Sequence, residues 1–353
     1  MEVDEVAGGP PHGLPPHGSD EREGREGRPE RNEGKGIAYS GVARVCALAG
    51  GTFLLYLALE HLPFYGGLIG IVGAVVGLFA PAPSIQVFLR WGTRAGIAGL
   101  LGVAFALGLA GGWGSSIQFL ASIGVIVWML SVAILSGRSV EVAVGWSVLG
   151  AALGLGVLYA AEALGMSDGT VAPGLVPEVN EGVGRLPSGL GGMDGEEFRR
   201  LLQVVGRLMP AVAIMQAALI SLLNYMVIRY VWTLRGLGAM FPPRELGRWS
   251  MPESAVWVLI ASGLAMFFLR REPLFSAGGN ILLLLSFGYF LHGLAILHFF
   301  FRKFDVAIVF RVPLYFVGFT FSYLVALFGL FDLWFDFRKI RTAGPSPEGP
   351  AGD

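Results

Sequence analysis

Three polar side chains stand deep inside long apolar stretches of this sequence and need a reason to be there: Gln216, Asn224 and His292. Unpaired polar and ionisable groups are costly at membrane depth, so they are functional candidates by default. Gln216 and Asn224 are eight residues apart, close to one face of a helix. Two amides and an imidazole offer donors and acceptors for a small polar solute. The competing reading is that each bonds a neighbouring helix and fixes packing. His298 follows His292 by six residues, about 240° around a helix, so the two do not ligate one ion from one face. Asp332 and Asp336 are four apart, with Arg338 and Lys339 close behind. Paired carboxylates suggest acid–base work, but no third group with fitting spacing accompanies them. Trp334, Phe335 and Phe337 lie among them, and the run reads as a helix terminus at a membrane surface.

Other chemistry is missing from the sequence. There is no GxxxxGK[ST], HExxH, CxxC or GxSxG pattern, so no enzyme, cofactor or metal is expected. Cys46 is the single cysteine and makes no intrachain disulfide. His12 and His17 sit among Pro and Gly, where a solvated tail is favoured over a metal tract.

The elements that hold these residues follow from composition. The chain has 353 residues, 54% hydrophobic and 14% charged. Its mean hydropathy is +0.64. A soluble domain is about 25% charged, and one water-soluble core cannot hide this much apolar chain. The fold class is therefore all-α, a polytopic helical membrane protein. Nothing alternates with the period of two that a barrel strand needs. A bilayer core requires about 20 apolar residues per helix, and nine candidates are visible: 41–60, 64–80, 92–112, 115–135, 142–164, 209–231, 253–269, 280–301 and 309–331. The glycine-rich 64–80 is the weakest, which leaves eight to nine spans. With nine spans, basic residues near the ends divide almost equally between the two sides. The positive-inside rule then does not fix the orientation.

Charge divides the chain further. Residues 1–36 carry nine acids and five bases, net −4, while the whole chain is −1. They read as a disordered acidic tail, too polar to repay ordering. Neither block is basic enough for a nucleic-acid partner. Residues 37–164 form a glycine-rich membrane bundle. Residues 165–208 form a long loop closed by an amphipathic helix, opened by the capping pair Asp194 and Glu197. Phe198, Leu201, Leu202, Val205 and Leu208 share one face of it, which suits a membrane interface. Pro210 should kink its exit. Residues 209–338 form a second bundle rich in Phe, Leu and Tyr, and 339–353 a second tail.

Glycine accounts for 53 residues, about twice the ordinary share of about 7%. Gly92/Gly96, Gly108/Gly112 and Gly150/Gly154 are GxxxG pairs that let helix backbones approach in lipid. Ala43, Ala47 and Gly51 form a small-residue stripe on the first span. It is read either as internal packing or as the contact for another membrane protein.

Several stretches together resemble the YybS-like family of bacterial membrane proteins, a family defined by a domain of unknown function. They are Pro81-Ala82-Pro83 through Leu89-Arg90-Trp91-Gly92 and Gly96; Met209-Pro210 with Leu223-Asn224-Tyr225 and Arg229; and Phe241-Pro242-Pro243 to Trp249-Ser250-Met251-Pro252 and Trp257. Two more are Tyr289-Phe290-Leu291-His292-Gly293-Leu294-Ala295 with His298-Phe299-Phe300, and Gly329-Leu330-Phe331-Asp332 through Arg338. The likeness covers about residues 40–340. That family is distantly similar to the substrate-binding subunits of energy-coupling-factor (ECF) vitamin transporters and to the rod-shape protein MreD. In the ECF subunits an AxxxA stripe on the first helix docks a coupling subunit, and Ala43 and Ala47 match it. The resemblance implies a multi-pass protein of the bacterial inner membrane and a small-solute-binding or transport-related role. A non-transporting scaffold for envelope or division proteins is the alternative.

Overall fold

The computed structural model describes residues 33–62, 67–164, 195–241, 247, 249–268 and 274–339. The tails expected at 1–36 and 339–353, and the loop expected at 165–193, lie mostly outside these. Every element described is helical, because in lipid a helix satisfies its own backbone.

The first half contains α1 (Glu33–His61), α2 (Gly67–Gly77), α3 (Pro81–Gly111), α4 (Trp113–Phe119), α5 (Val125–Leu135) and α6 (Val140–Ala163). α2 doubles back along α1: a Cβ on Gly73 would fall on Leu62, and one on Gly77 would fall on Leu59. Further along, Pro83 meets Gly51, and Thr52 Oγ1 bonds Ser84 Oγ at 2.7 Å in a buried seam. Leu68–Gly111 forms one helical run of 44 residues, about 66 Å at 1.5 Å per residue, twice a hydrocarbon core of about 30 Å. It does not run straight. Gly92 has φ +82° and ψ 176°, a left-handed φ that favours glycine. Beyond it a Cβ on Gly96 would fall on the Phe88 ring, although eight residues of straight helix span about 12 Å. The chain reverses at Gly92.

A π-helical turn, Leu120–Gly124, joins α4 to α5. It lies against the Gly150/Gly154 pair of α6. A Cβ on Gly154 would strike the Ala121 carbonyl, and one on Gly150 would come within 2.6 Å of Val125. This GxxxG pair therefore serves internal packing.

The second half contains α7 (Gly195–Leu234), α8 (Ser254–Phe268), α9 (Leu274–Lys303), α10 (Ile308–Thr320) and α11 (Ser322–Phe335). The amphipathic segment and the sixth expected span are one 40-residue helix with Pro210 inside it. Asn280 of α9 supports that interior proline. Its Oδ1 accepts from Ala211 N–H at 2.8 Å, and its Nδ2 donates to the Arg207 carbonyl at 2.8 Å. One side-chain amide thus satisfies both partners of the i to i−4 bond that α7 would otherwise make there.

Among the described residues six helical runs are long and apolar enough to cross a bilayer, the reversing run Leu68–Gly111 counted once, or seven with the pair α10 and α11. The expected count of eight to nine needs adjustment at two places. The segments at 64–80 and 92–112 lie in one run, and its reversal at Gly92 keeps them as two arms. The segment at 253–269 contains only the 15-residue α8, about 22 Å long. The segment at 309–331 is not one helix: α10 and α11 meet at 93°.

Candidate functional site

α9 is the axis of the second half. It has 30 residues, and Arg302 and Lys303 mark its polar end. Contacts along it give each neighbour a level. Met266 of α8 packs on Gly278 and Gly279, and Met251, just before α8, packs on Gly288. Gly288 lies at the midpoint of α9, so α8 begins halfway along it. The segment before α8 is non-helical from Trp249 to Pro252 and runs along α9 from Phe299, which Gly247 touches, to Gly288. α11 crosses α9 closely: a Cβ on Gly293 would strike the Val325 carbonyl, and one on Gly329 the Tyr289 carbonyl.

His292 points into this junction and is fully buried, as are Asp332 at 2% and Arg338 at 7% exposure. Arg338 Nη2 donates to Asp332 Oδ2 at 2.8 Å and lies 2.7 Å from His292 Nε2. His292 Nε2 is itself 3.1 Å from Asp332 Oδ2. Arg338 Nη1 donates to the carbonyls of Gly247 at 2.6 Å and Trp249 at 2.9 Å. The Trp249 ring stands edge-on to His292 with centroids 6.0 Å apart. His292 Nδ1, Arg338 Nε and the Tyr289 hydroxyl are buried with no partner among the described residues.

The chain bends to make this cluster. Asp336 adopts a left-handed conformation, φ 40°, and ends α11. The Phe337 N–H then donates to Asp332 Oδ1 at 2.9 Å, and Arg338 returns toward α9. The expectation of a surface terminus at 332–339 is corrected here. Asp332 and Arg338 are interior, and Asp336 is not on Asp332's helix face because it lies beyond the helix. A buried charge needs a paired, hydrogen-bonded partner. Irregular backbone packed against a buried side chain likewise needs donors for its carbonyls. Arg338 supplies both needs at once. The cluster can hold charge, exchange hydrogen bonds and couple three chain segments.

The three sequence-derived site residues do not share a hydrogen-bond partner. Asn224 is fully buried, donating to the carbonyls of Leu78 at 2.8 Å and Ile220 at 2.7 Å, which ties α7 to the α2–α3 turn. Its Oδ1 has no partner among the described residues. Gln216 is exposed: eight residues rotate it about 80° from Asn224, enough to leave the seam. His292 belongs to the charged cluster instead. Ala43 and Ala47 are exposed and Gly51 is half-buried against Pro83. Sequence reasoning missed Asp332 and Arg338 as site residues. The available signal was the carboxylate itself, since Asp332 closes an apolar stretch and has a cation six residues on. Among the described residues no group of three His, Cys, Asp or Glu could hold a metal.

No curated protein and no solved structure gives a significant match to the chain. A family model does match, over residues 62–333, from the end of α1 almost to the end of α11. That span is more than half of the sequence, and the chain belongs to the family described as predicted membrane protein DUF2232.

Proposed function

We propose that this multi-pass membrane protein is a small-solute-binding, transport-related subunit. One observation carries the reading. A buried His292–Asp332–Arg338 cluster sits halfway along α9, where the start of the short helix α8 and the end of the short helix α11 converge. Broken helices whose ends meet ionisable groups near mid-membrane are the way transporters build solute and ion sites. His292 Nδ1, without a partner among the described residues, is the group that a polar solute or its water would engage in this cluster, and Asn224 Oδ1 is a separate unfilled acceptor in the α7 seam. The reading involves binding and movement of a solute without covalent catalysis. The YybS-like resemblance, with its distant likeness to ECF substrate subunits, supports it. It also assigns the chain to a bacterial inner membrane, with the exposed Ala43 and Ala47 as the contact for a coupling partner.

The test is a thermal-shift screen of the detergent-purified protein against vitamins, nucleobases, amino acids and metal ions. A ligand at one hundred times its dissociation constant adds about 2.7 kcal/mol. A specific, saturable rise that weakens in His292→Gln or Asn224→Ala supports the proposal and names the solute. A flat screen on folded protein would favour the scaffold role, and crosslinking in the native membrane would then identify its partners.

A further inference from the structure

Arg338 Nη2 carries two N–H groups and faces two acceptors, His292 Nε2 and Asp332 Oδ2, so the triangle is satisfied with His292 neutral, and a second arrangement of protons is open to it. Arg338 Nη2 can donate to His292 Nε2, 2.7 Å away, only if that nitrogen offers its lone pair. The ring proton then sits on Nδ1, the nitrogen without a partner among the described residues. In this arrangement His292 Nε2 and Asp332 Oδ2 are two acceptors 3.1 Å apart, both facing one guanidinium nitrogen. If His292 takes a second proton, on Nε2, the 3.1 Å contact becomes an N–H donated to carboxylate. The 2.7 Å contact becomes two cations touching.

We propose that His292 is a proton-binding site at which an imidazolium replaces the Arg338 guanidinium on Asp332. The inference rests on the transport-related reading and names the proton as its coupling ion. One proton moves from water to Nε2, and Nδ1 keeps its own. The new Nε2–H is donated to Asp332 Oδ2, and the guanidinium passes with its charge to water beside the exposed Lys339, so the protein as a whole gains one positive charge. Before uptake the site holds Asp332 as carboxylate, Arg338 as cation and His292 neutral. Afterwards it holds Asp332 as carboxylate and His292 as cation. Both states are neutral, so neither leaves an unpaired charge in a low-dielectric interior.

The exchange moves more than a side chain. Arg338 Nη1 also holds the carbonyls of Gly247 and Trp249. When Arg338 leaves, the non-helical segment before α8 loses the donors that keep it at mid-depth. Proton uptake thereby releases the entry to α8, and rebinding of Arg338 expels the proton. The charged and titratable neighbours agree with a two-cation exchange on one carboxylate. On α9 the nearest is Tyr289, a turn before His292 and neutral. On α11 and its terminal turn they are Asp332 and Arg338, with Asp336 half-buried and Lys339 exposed. Before α8, the described residues Gly247, Trp249, Ser250, Met251 and Pro252 carry no titratable side chain, and Glu253 is exposed.

Two readouts on the full chain in lipid nanodiscs test this. The first is ring-nitrogen NMR of the five histidines, with the His292 signals assigned by their loss in His292→Gln. The expected result is the Nδ1–H tautomer at pH 8 and an imidazolium at pH 5. An Nε2–H tautomer at pH 8, or a ring that does not titrate, overturns the proposal. The second is hydrogen exchange of the Trp249–Glu253 amides, corrected for the intrinsic pH dependence of exchange. It should accelerate at least tenfold from pH 8 to pH 5 in the unmodified protein and less than twofold in His292→Gln. Equal acceleration in both also overturns it. Neither readout needs a solute, so failure here leaves the ligand screen standing, and a flat screen leaves the proton site standing.

Discussion

Removing the Arg338 side chain should be among the most damaging single changes in the second half, and removing Asp332 with it should be much less so than the two losses added. In Arg338→Met, assayed at pH 8, the Asp332 carboxylate keeps only the Phe337 N–H as donor, while the Gly247 and Trp249 carbonyls lose theirs. Breaking a buried pair costs about 3–5 kcal/mol. Asp332→Leu leaves a buried guanidinium without its carboxylate and costs a similar amount, about 3–5 kcal/mol. If the two acted independently, the double variant would lose about 6–10 kcal/mol. It has no unpaired charge, so its loss reduces to the orphaned carbonyls, about 1–3 kcal/mol each. Set against about 2–6 kcal/mol for the two carbonyls, the central values leave a coupling energy of about 4 kcal/mol. The assay is equilibrium unfolding in mixed micelles with increasing dodecyl sulfate, followed by tryptophan fluorescence, for the four members of the cycle. Losses that add within about 0.5 kcal/mol would refute the argument, because they would mean that Arg338 and Asp332 do not share a buried site.

Two further outcomes follow from close contacts. Gly293→Ala and Gly329→Ala should each destabilise by about 1–3 kcal/mol, since their new methyls meet backbone carbonyls of the facing helix. Gly145→Ala, where nothing lies within 4 Å, should be neutral or stabilising in the same unfolding series. Asn280→Ala should cost about 1–3 kcal/mol, because Ala211 N–H and the Arg207 carbonyl lose their shared partner. Hydrogen exchange should rise locally at Ala211 and not at Asn224.

The sequence made the helices legible and the junctions obscure. Apolar length located most of the helices, because a hydrocarbon core imposes it, but it passed over residues 81–91, whose prolines open a helix at its first turn. Gly92 was visible as half of a GxxxG pair, but its left-handed φ was not, since a packing glycine and a turning glycine look alike in sequence. Gln216 and Asn224 seemed near one face, and the 80° between them decided the outcome. His292 stood out because nothing near it in sequence could pair with it. Its partners are 40 and 46 residues away, and no local pattern joins residues at such distances. Arg338 read as a surface cation because cations just beyond apolar runs usually snorkel. The left-handed turn at Asp336 that sends it inward leaves no periodicity to detect.

The bend between α10 and α11 bears on the lipid around the protein. α11 crosses α9 at the Gly293 and Gly329 contacts, and α10 stands at 93° to α11. Its 13 residues are too short to cross, and Ile308, Val309, Phe310, Val312 and Phe316 are all more than 60% exposed. A helix about 20 Å long and about 10 Å wide therefore offers the surrounding lipid an apolar face. Because α11 begins two residues after α10 ends, the lipid-facing helix and the helix that carries Asp332 share one backbone bend.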